Sequence, residues 1–289
     1  MFYLFLIYGF INSAIILLQS LGFGLTFSIS GIANFSHGAL YILAGVITWI
    51  LIKYGLPVYL SMLLSVFTVA LLGFVIYWLL IYRIRGLPFS EVIVTFLLGV
   101  VIIEFLRWKG FVTYEFTLPA LSSRSVFILG IPLDFQRLII LFFAFLLLGA
   151  LYIFSHFTKI GLALRGISQN EQTALCLGIN ADLFSSISVM LGAGICAISA
   201  NLIIPLGIIS IDSGYDVLLI SIAVTIVGGL GSNLGLLLAS LLFGYVQTAT
   251  TIFLSSKWVM VVYLFSIICV LMIKPSGLLG KFKEIEERI

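Results

Sequence analysis

Apolar stretches about as long as a bilayer is thick, following one another with hardly a charge inside them, constrain this chain more than any other feature. They lie at 2–28, 39–53, 58–82, 88–107, 135–155, 184–204, 217–230, 236–254 and 258–274. A helix needs about 20 residues to cross about 30 Å of hydrocarbon, and helices or closed barrels alone satisfy their backbone polar groups there. The pattern predicts an all-α integral membrane protein, a polytopic bundle of about eight or nine transmembrane helices. The count turns on whether the short segments 39–53 and 217–230 cross alone or as parts of broken helices. Composition agrees: 62% of the 289 residues are hydrophobic and 9% charged, with a mean hydropathy of +1.30, far from a soluble domain.

Residues 1–289 read as a single transmembrane domain. The N-terminal MFYLFLIYGF lacks a basic n-region and a small-residue cleavage site, so the first segment is expected to stay as a span. The longest polar stretches, an external loop at 108–134 and a loop at 156–183, are both too short to build a core of their own. Any ATP-hydrolysing domain is therefore expected on a separate chain. Arg83 and Arg85 in the tight connection 82–88 and Lys159 and Arg165 in loop 156–183 are expected inside by the positive-inside rule. Lys274, Lys281 and Lys283 place the C-terminus on the same side, and the tail KFKEIEERI reads as a frayed amphipathic helix. The external loop then carries Glu115, Arg124 and Asp134, with an extended, β-prone middle at Ser125–Ile128. The net charge of +3 carries no message about nucleic acid, because the basic residues sit beside spans.

Two breaks interrupt the apolar pattern. Residues 2–28 form one long helix candidate interrupted by Gly22 and Gly24, after which 28–38 is small and polar, with Asn34, Ser36, His37 and Gly38. Irregular backbone at membrane depth is tolerated only under cover of protein or beside a water-filled cavity. The second break, Gly228-Gly229-Leu230-Gly231-Ser232-Asn233, lies between two apolar helices. Interrupted helices at corresponding places in two halves point to a transport pathway at the midplane, and these residues are its candidates. Close helix packing is the other reading of the glycines, as it is for Gly45, Gly192, Gly194, Ala193 and Ala197. His37 is read either as a solute or proton group or as a hydrogen bond across helices that holds the segment. Glu104 and Arg107 share a helix face as an interfacial pair, and His156 reads as a loop residue.

Gly161–Asp182 is the longest internal run that a membrane would reject. Ser168-Gln169-Asn170-Glu171 fits a capping box, Ser168 as the cap and Glu171 reaching back. A helix of about ten residues is expected from there to Gly178, where glycine enters the left-handed conformation, and Asn180 with Asp182 caps the next helix. Ala174, Leu175 and Leu177 then form an apolar knob for docking; the alternative is a helix lying on the bilayer surface. Cys176, Cys196 and Cys269 have neither disulfide-framework nor zinc spacing. No metal cluster, nucleophile–base pair or phosphate-cradling loop appears in the sequence, so no catalytic residue is assigned.

Three stretches together are similar to the permease subunits of branched-chain amino acid (Liv-type) ABC importers. They are Ile32–Gly38, the loop GLALRGISQNEQTALCLGIN at 161–180, and GGLGSNLGLLLASLLFG at 228–244 with Pro275–Gly280. The resemblance spans about residues 22 to 280 and implies an all-helical permease with two broken helices and a cytoplasmic coupling helix, in a prokaryotic cytoplasmic membrane. It also implies a second related permease, two cytoplasmic ATPase subunits and an external solute-binding protein; ATP and magnesium would sit on the ATPases, with no cofactor on this chain. Glu171, Ala174 and Gly178 carry over as the coupling core, joined by Arg165, Ser168 and Leu175 from the same loop. Gln172, Thr173, Cys176, Leu236, Ala239 and Ser240 depart from the family pattern and leave the solute open. Related permeases carry urea or short amides, and a self-sufficient ion-coupled transporter or channel using His37, Glu104 or Asp212 is the rival mechanism.

Overall fold

The computed structural model describes residues 2–111, 116–122, 124–128, 130–207 and 209–280. Glu115, Lys281, Lys283 and the tail 281–289 lie outside the described residues. The helices are α1 (Phe2–Ser30), α2 (His37–Lys53), α3 (Val58–Ile76), α4 (Tyr82–Ile84), α5 (Pro88–Leu106), α6 (Phe135–Phe157), α7 (Lys159–Gln169), α8 (Glu171–Cys176), α9 (Ala181–Ile203), α10 (Ser213–Gly228), α11 (Asn233–Phe253) and α12 (Val259–Ile273). A π turn at Tyr77–Ile81 makes α3 and α4 one continuous rod. Among the described residues seven helical segments are long and apolar enough to cross a membrane, and α2 and α10 are shorter apolar helices of 17 and 16 residues.

α9 is the centre of the bundle: its apolar stretch is the most buried of the seven, whereas that of α12 lies on the periphery. Its small residues explain this. A Cβ on Gly192 would stand 2.7 Å from the Gly22 carbonyl oxygen, and one on Gly22 would stand 2.4 Å from that of Gly192. Without a hydrophobic drive between helices in lipid, such backbone approach supplies the packing. Gly22 and Gly24 accordingly do not interrupt the first helix; α1 is continuous through both, and the glycines are where other elements press on it. One apolar cluster gathers around α2, α3 and α9, and a second around α1, α6, α10 and α11.

The external loop does contain extended structure. β1 (Ser125–Ile128) pairs antiparallel with β2 (Ile131–Asp134), Ser125 opposite Asp134 and Ile128 opposite Ile131. A bridge between Phe116 and Ile209 ties the loop to the α9–α10 connection.

The other end of the bundle carries α7 and α8. Thr158 caps α7, accepting the Gly161 amide at 3.0 Å. Ser168 is not a helix cap: it lies inside α7, its hydroxyl donating to the Arg165 carbonyl at 2.9 Å. Asn170 takes the capping role instead, accepting the Thr173 amide at 2.9 Å, so the predicted ten-residue helix is really the end of α7 and the six-residue α8. The capping-box pattern and the Asn cap are two residues apart, and the extended backbone at Asn170 decides between them. Gly178, at φ +79°, stops α8, and Asn180 caps α9 through the Leu183 amide at 3.1 Å. Asn170→Ala is expected to cost about 1 kcal/mol of local helix stability, seen as about fivefold faster hydrogen exchange of the α8 amides by mass spectrometry. His156 is likewise not in a loop; it closes the last turn of α6, stacked on Tyr152 at 4.2 Å.

Candidate coupling surface and translocation segment

α8 has two faces. Ala174 is 3% exposed and sits on Ile167 and Ala181, so it seats the helix and forms no part of the exposed knob. Leu175 and Leu177 are 52% and 76% exposed and project from the bundle. Arg165, on α7, is partly buried. Glu171, in the first turn of α8, meets Arg85 of the α4–α5 connection at 2.8 Å. That contact is an ion pair whose angle falls short of hydrogen-bond geometry. Arg85 also holds Asp182 in the first turn of α9 and donates to the Tyr77 hydroxyl at 3.0 Å, which itself donates to Asp182 at 3.0 Å. Burial opposes the charge on Arg85, but Tyr77, Asp182 and Glu171 outweigh it and hold the guanidinium above its ordinary range. The residues alone assign Arg85 to orientation and Asp182 to a cap, since no local pattern joins residues 97 positions apart.

The first break is irregular backbone inside the bundle. Residues 31–36 leave the end of α1 and return along it, so that α2 starts at the level of Gln19. Thr95 of α5 covers them: its hydroxyl accepts the Phe35 amide at 3.1 Å and reaches the Ala33 carbonyl at 3.4 Å. The Asn34 side chain accepts from the Ser36 amide at 3.1 Å and its hydroxyl at 2.6 Å, an Asx turn that opens α2. His37 is 3% exposed, with Nε2 3.0 Å from the Gln19 carbonyl, which fixes Nε2 as the donor. Ser221 of α10 donates to the same carbonyl at 3.2 Å. Gly38 lies against the backbone of Gly214 at the start of α10. Asn34, Ser36 and His37 are thus buried and bonded within the chain.

The second break is a turn between helices. Gly228, Gly229, Gly231, Ser232 and Asn233 join α10 to α11 at the end that carries α7, beside the end of α1. The two breaks meet at the end of α1 and part from there, Gly38 lying at the start of α10 and this turn at its end. Ser232 caps α11 by accepting the Gly235 amide at 2.9 Å, and Ser28 at the end of α1 accepts the Gly231 amide at 3.0 Å. Residues 277–280 close over this turn: Leu278 donates to the Val227 carbonyl at 2.7 Å and Leu279 to that of Gly228 at 3.1 Å. At the opposite end Arg107 pairs with Glu104, as expected, and also with Asp212 before α10. Among the described residues no three His, Cys, Asp or Glu side chains are grouped to hold a metal ion.

The family described as the permease component of branched-chain amino acid transport systems matches residues 5–271. The chain belongs to it. This permease is a membrane transport subunit of an ATP-binding-cassette importer. It is 24% identical over 280 residues to the high-affinity branched-chain amino acid transport system permease protein LivH of Salmonella typhimurium, covering 91% of each chain. To the permease protein BraD of Pseudomonas aeruginosa, described in the same words, it is 24% identical over 279 residues, again with 91% of each. A probable branched-chain amino acid transport permease protein LivH of Methanocaldococcus jannaschii is 27% identical over 288 residues, covering 93% of this permease and 90% of that one. In fold the permease is similar to PsaBC from Streptococcus pneumoniae in complex with Fab, with a TM-score of 0.52, 13% identity, and 94% and 92% of the two chains covered.

Proposed function

We propose that this permease moves branched-chain amino acids inward, together with a second related permease, two cytoplasmic ATPases that hold ATP and magnesium, and an external solute-binding protein. α8 is the element that the ATPases grip. The observation that carries this reading is the division of its faces: Ala174 packs inward while Leu175 and Leu177 stand out from the bundle. A six-residue helix so exposed has little reason to hold its shape alone, and apolar side chains at its tip fit a groove on a partner. Gly178 ends the helix, and Arg165 and Ser168 form part of α7, on which it is built. The end with α7 and α8 is cytoplasmic on this reading, because Arg83, Arg85, Lys159, Arg165 and Lys274 all belong to it. The solute passes by the first break, where residues 31–38 line the meeting of α1, α5 and α10. The turn 228–233 anchors the inner ends of the helices beside that route.

The double variant Leu175→Asp/Leu177→Asp tests the reading. Purified from native membranes, it should insert in normal amounts yet retain less than about a tenth of the ATPase subunits, with uptake of labelled leucine lost in parallel. Full ATPase recovery with normal uptake would overturn it.

A further inference from the structure

α8 is joined to the first break by polar contacts linked through the backbone at Arg85–Gly86 and through Glu91. Glu171 meets Arg85 at 2.8 Å. The next amide, Gly86, donates to Glu91 Oε1 at 2.9 Å and so fixes the start of α5. One turn on, the Glu91 carbonyl accepts the Thr95 hydroxyl at 2.8 Å, and that hydroxyl accepts the Phe35 amide. Gly99, a further turn along α5, lies against Ser36: a Cβ there would stand 3.3 Å from the Ser36 Cα. α5 is thus a rod with α8 tied to one end and residues 33–36 seated on its middle.

We propose that Arg85, clasped between Glu171 of α8 and Asp182 of α9, is a positioning residue that carries displacement of α8 into α5 and so into residues 31–36. The proposal rests on the reading of α8 as the ATPase-docking element. Arginine suits the task because its planar fork bridges two carboxylates at once, which a point charge on lysine does not. The Arg85 side chain is largely buried, which holds the clasp in one geometry. Removing it leaves Glu171 and Asp182 with no counter-charge between them, so α8 moves without pulling α5.

The test is made on the complex purified with its ATPases and reconstituted with the binding protein, leucine uptake and ATP hydrolysis being measured in the same vesicles. In Arg85→Gln the ATPases should stay bound and hydrolysis should continue, while leucine carried per ATP falls about tenfold; Arg85→Lys should fall between the two. A purely structural role would lower uptake and hydrolysis together. Unchanged leucine per ATP in Arg85→Gln overturns the proposal. Ala33→Cys with Arg85 intact covers the case of a variant that does not assemble. Its maleimide labelling rate should change on ATP binding and lose that change in Glu171→Gln; a rate indifferent to ATP overturns the proposal equally. If the ATPases also remain on Leu175→Asp/Leu177→Asp, the docking reading has failed; if they leave it while Arg85→Gln couples normally, this proposal alone has failed.

Discussion

Gly38→Val is expected to leave almost no folded permease in the membrane. A Cβ at position 38 would stand 1.9 Å from the Gly214 carbonyl oxygen and 2.7 Å from its carbon, and a Cβ at Gly214 would meet the Gly38 carbonyl at 2.8 Å. Backbone faces backbone in both directions, so no side chain can turn aside. Heavy atoms in contact need about 3.5 Å, and α2 and α10 would have to part by well over 1 Å. Overpacking of this kind costs about 3 kcal/mol. The shift would also strain residues 31–36 just before α2, which leads to the second part of the expectation: any surviving protein should transport poorly. Thermal unfolding in detergent, followed by exposure of the buried Cys196, measures the first part. Gly149→Ala is the control, since nothing lies within 4 Å of a Cβ there on α6; it should be neutral or more stable by up to about 1 kcal/mol. Equal unfolding temperatures for the two variants would refute the argument.

Gly229→Ala should be nearly as damaging, for two reasons that add. Its φ of +93° is a conformation that side-chain-bearing residues enter at a cost of about 1–3 kcal/mol. Its Cβ would also lie 2.2 Å from the Gly280 amide nitrogen, pushing residues 277–280 off the turn. Loss of that cover frees the Val227 and Gly228 carbonyls that Leu278 and Leu279 satisfy, and an unmet buried acceptor costs about 1–3 kcal/mol more. Gly231→Ala separates the two effects: φ is again positive, at +82°, but nothing lies within 4 Å. It should show the conformational cost alone, so Gly229→Ala must unfold at the lower temperature. Protease sensitivity beyond residue 274 should rise in Gly229→Ala and stay unchanged in Gly231→Ala.

Arginines stand at both ends of α5, and both reach into the second half of the chain. Arg85 takes Glu171 and Asp182; Arg107 takes Asp212 together with Glu104. The pair at the α7–α8 end is the more buried through its arginine, while its two carboxylates stay about a third exposed, so salt weakens it less than the open Arg107–Asp212 pair.

Much of this could be read from the residues alone, because hydrocarbon is an unforgiving solvent. Every backbone group in it must bond within its own segment, so runs of apolar residues mark the helices and polar interruptions mark what departs from them. The spans, a break within 28–38, which the helices narrow to 31–36, the strand at 125–128 and the stop at Gly178 are all visible in that way. Competing local signals were not resolved by the residues. Ser168 looks like a cap, and that Asn170 caps instead depends on where α7 ends, which packing of Gly161, Leu164 and Ile167 sets. Gly22 and Gly24 look like a break until α9 is found lying against the first and Leu236 of α11 against the second. The course of the two interruptions was hidden as well: both look alike, yet one runs back along α1 inside the bundle while the other is a tight turn that residues 277–280 return to cover. Tertiary structure alone also decided that Ala174 faces in while Leu175 faces out, and that Arg85 finds Glu171 and Asp182. Those pairings join residues far apart in sequence, and no periodicity along a single helix records which helix will lie beside it.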